Sequence, residues 1–415
     1  MIGRRALGAG TVVVSALLAI APAQAQETRR EAVAAERAAR ARTVAPYTPG
    51  SLERLMLRAQ RSPVLSRFFR KADGPYAVFG SVTRGGGLAF GGGWREHVAS
   101  ERVLLEGAAA YTVRGYHTAR AEIRLPRIAA GRVEVGSRVC HRYFPQEDYF
   151  GLGPASRKED RVNYLLEETE ISAFGIYRPT PWLSSGLRVA HLSPDIRSGT
   201  DSRYPSIESR FTEQTAPGLA DQPGFIETGG YAEADFRDHA NNPKSGGRYT
   251  ILFADYSDRD AGRYDFARTT AVAEHHFPIF DKKRVFSVRA VATHLDPGNG
   301  GAVPFYYMPA LGGRDTLRGL LDYRFRDHSW MLLNAEYRWE AVTGIEMAIF
   351  YDIGDVESRF GKLSLADARS SYGIGTRFGT TSAIVLRTEV AFGSGEGTRA
   401  FVAVGAPLRI ERYLR

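Results

Sequence analysis

The chain has 415 residues, of which 24% are charged and 43% hydrophobic, with 44 Gly and 20 Pro. That balance is too apolar and too aromatic for a disordered chain, and too polar for a bundle of membrane-spanning helices. The formal net charge is +9, and the single Cys140 excludes an intrachain disulfide and a cysteine-built structural zinc site.

Residues 1–25 read as an export signal. Arg4 and Arg5 supply the positive start, Thr11 to Ala21 the apolar stretch, and Ala23-Gln24-Ala25 the small-x-small cleavage site. The mature chain is therefore expected beyond the inner membrane of a bacterium with two membranes. Residues 26–71 hold eleven Arg or Lys against four Glu, whereas 72–415 hold 42 of each sign. The basic excess thus belongs to a leader, 26–75, that reads as partly helical: Glu31 to Ala41, a break at Pro49-Gly50-Ser51, then Leu52 to Gln60. It suits anionic headgroups of the periplasmic leaflet or an acidic partner; the plainer reading is a solvated arm.

From about residue 76 the helical period disappears and period-two alternation recurs. Sixteen strands are expected, over 77–84, 87–95, 102–111, 115–126, 130–141, 167–179, 182–192, 227–238, 247–257, 264–277, 283–294, 328–340, 344–356, 370–379, 382–393 and 398–408. In 330–339, Trp330, Leu332, Asn334, Glu336 and Arg338 share a face opposite Met331, Leu333, Ala335, Tyr337 and Trp339. In 345–354, Glu346, Ala348, Phe350, Asp352 and Gly354 oppose Ile345, Met347, Ile349, Tyr351 and Ile353. Arg387 and Glu389 oppose Ile384, Leu386, Val390 and Phe392, and Arg120, Glu122 and Arg124 oppose Ala119, Ala121, Ile123 and Leu125.

One wholly apolar face and one charged face, on strands of roughly ten to twelve residues, match strands that cross a bilayer at a tilt. Lipid cannot satisfy an open sheet edge, so the sheet must close. The fold class is all-β: a transmembrane antiparallel β-barrel over 76–415 whose charged face lines the lumen. Connections after even strands are short, as at Arg127–Ala129, Pro181 and Thr380-Thr381. Those after odd strands include the long ones, 142–166, 193–226, 295–327 and 357–369. Short turns on the periplasmic side and long loops outside give that pattern.

The loop 295–327 carries Gly312-Gly313-Arg314-Asp315-Thr316-Leu317-Arg318-Gly319-Leu320, followed by Asn334-Ala335-Glu336-Tyr337-Arg338 and Phe350-Tyr351-Asp352-Ile353-Gly354. Taken together these resemble the BamA/TamA superfamily of outer-membrane assembly barrels, the bacterial surface antigens. Further similar pieces are Asn242-Pro243-Lys244-Ser245-Gly246-Gly247, Asp148-Tyr149-Phe150-Gly151-Leu152-Gly153 in the third outer loop, and Gly373-Ile374-Gly375-Thr376-Arg377-Phe378. The resemblance covers roughly 75–410. It implies that the sixth extracellular loop folds into the lumen, with Leu317-Arg318-Gly319-Leu320 as its tip, Leu320 standing where the family has an aromatic residue. A guanidinium is a permanent cation with a planar fork for carboxylates. Alternation places Glu336 and Asp352 on the lumen faces of consecutive strands, so Arg318 is expected between them, with Gly312 and Gly313 as hinge and Gly354 on the wall. About fifty residues separate the signal from the barrel, too few for a periplasmic POTRA repeat, so a short form is expected. The chain closes on Arg412-Tyr413-Leu414-Arg415 rather than on a terminal aromatic residue.

The resemblance implies a non-enzymatic barrel, a monomer among outer-membrane lipids, that aids insertion or translocation of unfolded proteins or lipids. Two alternatives stand: a passive or gated pore, with Arg120, Glu122, Arg124, Arg289 and Arg387 lining the lumen, and a barrel-embedded hydrolase. For the latter there is no Gly-x-Ser-x-Gly, His-Glu-x-x-His or phosphate-binding loop, and the nine His are scattered; sequence alone does not exclude a Ser/His pair across strands, and His275-His276 adjoin at a strand end with one ring expected toward lipid headgroups and the other toward the lumen. No cofactor, metal or nucleic acid is expected. Asp255, Asp258 and Asp260 crowd an outer turn but lack the calcium-loop spacing and its terminal Glu.

Overall fold

The computed structural model describes residues 73–298, 301–379, 384–393 and 395–404. The signal, nearly all of the leader, the turn at Thr380-Thr381 and the terminal Arg412-Tyr413-Leu414-Arg415 lie outside the described residues.

Sixteen strands form one antiparallel sheet in chain order: β1 (Gly74–Gly80), β2 (Ala89–Val98), β3 (Val103–Thr112), β4 (His117–Ile128), β5 (Val133–Tyr149), β6 (Val162–Thr180), β7 (Leu183–Ser198), β8 (Phe225–Asp235), β9 (Gly246–Asp258), β10 (Phe266–Ile279), β11 (Arg284–Pro297), β14 (Ser329–Val342), β15 (Ile345–Glu357), β16 (Arg369–Gly379), β17 (Ile384–Gly393) and β18 (Gly397–Val404). Two short strands, β12 (Ala310–Leu311) and β13 (Phe325–Arg326), pair only with each other, inside the loop between β11 and β14. The sheet curls until β1 and β18 adjoin, yet among the described residues no ladder joins them.

Alternation decides which way each side chain points. Ile171, Leu187, Ile251, Phe253, Ile349, Ile374 and Val402 are exposed on the outer wall. Their neighbours in sequence point inward and pair their charges. Glu106 meets Arg95 and Arg120, Glu122 meets Arg124 and Arg138, and Glu170 meets Arg142 and Arg188. An apolar exterior around an ionic interior inverts a water-soluble sandwich and suits a wall whose solvent is lipid.

The expected strand bounds need correction in five strands, β1, β2, β5, β6 and β7. The first strand is Gly74–Gly80, not 77–84, and the second starts at Ala89. The third outer connection, expected over 142–166, shrinks to 150–161, because β5 and β6 run on beyond the expected strands, pairing through Tyr149↔Val162. Asp148 and Tyr149 therefore lie in β5, and β7 likewise runs on to Ser198. In these extensions both faces are mixed, so the alternation that marks a lipid-facing strand fades while ladder pairing continues. The turn after β8 spans 236–245, longer than the other short-side turns, and it folds back into the barrel mouth.

Candidate functional site

The loop between β11 and β14 enters the lumen as a hairpin. Ala310 pairs with Arg326 and Leu311 with Phe325, which brings both limbs together above the tip. Gly312 and Gly313 then turn the chain at φ +114° and +90°, where L side chains are strained. A Cβ on Gly312 would lie 2.1 Å from the Leu321 carbonyl oxygen. The tip is closed by its own bonds: the Gly312 amide donates to Thr316 Oγ1 at 2.8 Å, and the Leu320 amide to the Leu317 carbonyl at 3.0 Å. Leu317 and Leu320 are wholly buried, packed with Val272, Val291, Trp330, Leu332 and Val356. Aliphatic Leu320 thus fills an apolar seat on the wall.

Between these two leucines Arg318 points into the strand wall and is 1% exposed. Its Nε donates to Asp352 Oδ2 at 2.9 Å and its Nη2 to Asp352 Oδ1 at 2.7 Å, a two-pronged grip. Its own backbone amide adds a third bond to Asp352 Oδ2 at 3.2 Å. Nη1 reaches Glu336 Oε2 at 3.1 Å and Glu389 Oε1 at 3.3 Å. The guanidinium carbon lies 3.4 Å from the centre of the Phe350 ring. Asn334 and Ser371 donate to Asp352 at 2.9 and 3.2 Å, so that carboxylate is held from its own strand's neighbours too. Arg377 donates to Glu336 and lies 3.6 Å from Glu389, offsetting the surplus of acid. One loop residue therefore engages β14, β15 and β17, with β16 supplying Arg377 and Ser371.

Two glycine contacts make this approach possible. A Cβ on Gly319 would stand 2.4 Å from the backbone nitrogen of Gly393 in β17, and one on Gly393 would stand 2.4 Å from the Gly319 carbonyl oxygen. Gly354 serves a different neighbour from Arg318: its added Cβ would lie 3.0 Å from Leu311 Cδ1 and 2.7 Å from the Met331 carbonyl. Glu389, Phe350, Asn334, Ser371 and Arg377 escaped the sequence reading as site residues. Phe350 left one signal, a large aromatic on a face otherwise bearing Glu346 and Asp352.

The turn 236–245 closes the other end. Asn242 is buried, and Asn242 and Lys244 both bond Glu346, while Arg338 donates to Asn242 Oδ1 at 3.1 Å and to the Pro243 carbonyl. Arg338 also lies 3.7 Å from Glu336. An ionic chain thus runs from the turn 236–245, through Glu346, Arg338 and Glu336, to Arg318.

The remaining sequence features find ordinary places. His275 faces outward against Tyr249, whose hydroxyl is 2.9 Å from its Nδ1. His276 faces inward, 2.8 Å from both Ser287 Oγ and Glu274 Oε1. Both ring nitrogens are occupied and all three side chains are buried, so the row braces two strands. Asp258 caps backbone amides of Asp260, Ala261, Arg263 and Tyr264, which occupies the oxygens a cation would need. Among the described residues no group of three or more His, Cys, Asp or Glu is placed to hold a metal ion.

Among solved structures the chain is similar to BamA from Haemophilus ducreyi lacking POTRA domains 1–3, with a TM-score of 0.60 and 14% identity over 81% of this chain and 71% of that one. It is also similar to CdiB from Escherichia coli (TM-score 0.53, 10% identity, 80% of this chain) and CdiB from Acinetobacter baumannii (0.50, 11%, 80%). It spans only 62% and 59% of those two CdiB chains. At such identities the likeness is one of fold. No curated protein matches the sequence. The family model described as the Omp85 superfamily domain matches residues 183–401, just over half the chain and the whole of the loop and wall that meet at Arg318. The chain belongs to the Omp85 superfamily.

Proposed function

We propose that this barrel sits in the outer membrane as a monomer and aids the insertion or translocation of unfolded protein clients, or of lipids, at the seam between β1 and β18. The observation that carries the reading is that seam. Every other pair of neighbouring strands is tied by a ladder, whereas β1 and β18 adjoin without one among the described residues. A strand edge presents unpaired amides and carbonyls, which template an incoming strand. In lipid that template is stronger, because nothing else can satisfy those groups. Arg318 is the latch in this reading: it ties the lumen loop to β14, β15 and β17, on the seam's own side of the barrel, and so holds the wall while the edges exchange partners.

The test uses the protein reconstituted in liposomes, with a photo-crosslinking residue at the outward Ala77 of β1 or, as control, at the outward Ile251 of β9. A urea-unfolded outer-membrane barrel precursor is then supplied. Adducts should form from position 77 and not from 251. Equal yields at both positions, or none at 77, would sink the proposal.

A further inference from the structure

At the end of the barrel where the lumen loop enters, the β1–β2 connection, 81–88, and the β17–β18 turn at Gly395-Glu396 flank the seam. We propose that the neck of the lumen loop, Asp322-Tyr323-Arg324, is a staple across that seam, and that its release sets how often the two edges part. The inference rests on the seam reading and names the regulation of that site.

The tip of the loop leaves both edges to others. Arg318 engages β14, β15 and β17, and Gly319 packs on Gly393 of β17; among the described residues none of these contacts reaches β1 or β18. The neck touches both sides. Tyr323 lies at φ +58°, in the left-handed region, where a bulky side chain is strained. Such a conformation persists only where its surroundings hold it. The turn sends Tyr323 to one side and its two neighbours to the other.

Toward β1, the Tyr323 hydroxyl is 2.7 Å from Thr83 Oγ1, and the Arg84 guanidinium carbon lies 4.5 Å from the centre of the Tyr323 ring. Arg84 also donates to the carbonyls of Ala310 and Gly312, at 2.9 and 3.2 Å, so it grips both limbs of the loop. Toward β18, Arg399 donates to Asp322 Oδ2 at 3.1 Å, and Arg324 donates to Glu396 Oε1 at 2.8 Å. A Cβ on Gly85 would lie 3.5 Å from that same Asp322 oxygen, so one carboxylate adjoins both edges. Arg324 is buried and bonds Ser156 through both Nη atoms, at 3.1 and 2.9 Å, which fixes the neck to a third connection. A ladder in lipid is lost only with its backbone bonds left unsatisfied. Here side-chain bonds, each modest by itself, stand in for the ladder, and they can be exchanged singly.

The first measurement needs no client. In liposomes, hydrogen exchange of the β1 and β18 amides samples rare openings of the seam. Arg399→Glu and Glu396→Gln should each speed that exchange about fivefold, and leave β9 unchanged. Adding Asp322→Lys to Arg399→Glu restores the pair with its charges swapped and should return the wild-type rate. Trypsin cleavage after Arg314 and Arg318 should stay slow in Arg399→Glu, because Arg318 still seats the tip. Unchanged exchange in both single variants, or no rescue by the swap, would overturn the staple. Cleavage that rises as much as exchange would do so too, since the neck would then only seat the loop. The second measurement supplies the unfolded barrel precursor to protein carrying the photo-crosslinker at Ala77. Early adduct yield should rise about threefold or more in Arg399→Glu. Equal yields despite faster exchange would overturn the staple's control of the seam. Faster exchange with no adducts from either protein would instead sink the seam reading and leave the staple standing.

Discussion

Arg318 is held by three carboxylates, one aromatic face and its own backbone amide, all out of water. Removing one member of a buried ion pair strands the others, at a cost of about 3–5 kcal/mol. Arg318→Ala should therefore unseat the loop, seen as faster trypsin cleavage within 311–322, while the heat-modifiable band of the closed barrel persists on gels. Unchanged cleavage would remove Arg318 from the latch role. Arg318→Lys should rescue little, because an ammonium cannot grip both oxygens of Asp352 and also reach Glu336 and Glu389. Phe350→Ala should loosen the loop by about 1–2 kcal/mol, the worth of a desolvated cation over a ring.

At the scale of elements, the loop and the wall meet backbone to backbone. Gly319→Ala adds one methyl group that would stand 2.4 Å from the Gly393 nitrogen, with no flexible side chain to move aside. It should unseat the tip although Arg318 and its acids remain; Gly361→Ala, where nothing lies within 4 Å, should leave cleavage unaltered. The turn 236–245 has its own organiser. Burial alone would raise the Asp238 carboxyl, but the Lys282 ammonium and the backbone amides of Lys244 and Ser245 hold it well below the ordinary range. A depressed carboxyl stabilises the folded turn above its ordinary value of 3.8, and that support is lost as the pH falls below it. Asp238→Asn should weaken amide-exchange protection across 236–245 at pH 6. The gap from the wild type should begin to narrow as the pH falls below 3.8 and should still be largely open at pH 3, because the folded carboxyl is held well below that; a gap that ignores pH throughout the acid range would mean that charge is not what holds the turn.

For the whole molecule, a hairpin from one end and a turn from the other both occupy the lumen. A sixteen-stranded barrel left empty would conduct freely, whereas this interior is crossed by buried ion pairs from Lys244 to Arg318. Planar-bilayer recordings of the intact protein should give low conductance, and deletion of 311–322 should raise it severalfold. High and steady conductance from the intact protein would favour a passive pore instead. The ionic chain also predicts coupling: Glu346→Gln, at the turn's end, should raise cleavage of the distant loop, although less than Arg318→Ala does.

The sequence by itself determined the number of strands and their inward and outward faces, whereas the entry of the loop into the lumen was implied only by the resemblance of its motif to a known family. The strands and faces are set locally: period-two alternation reports the two solvents on either side of each strand, and turn residues report the hairpins. Glu336 and Asp352 were legible for the same reason, since both lie on inward faces of strands adjacent in chain order. Tertiary structure alone decided the rest of the site. Glu389 lies 71 residues beyond Arg318 and meets it only because the sheet curls. Nothing in the spacing of Gly319 and Gly393 says that their backbones touch. The β5–β7 extensions are held by ladder pairing, and no run of apolar residues on one face marks them in the sequence. Nor does composition show that Asn242 and Lys244 fold inward to Glu346, because that contact spans the barrel mouth. A strand's pattern records the solvent it faces, and a lumen contact records which strands curvature brings opposite one another.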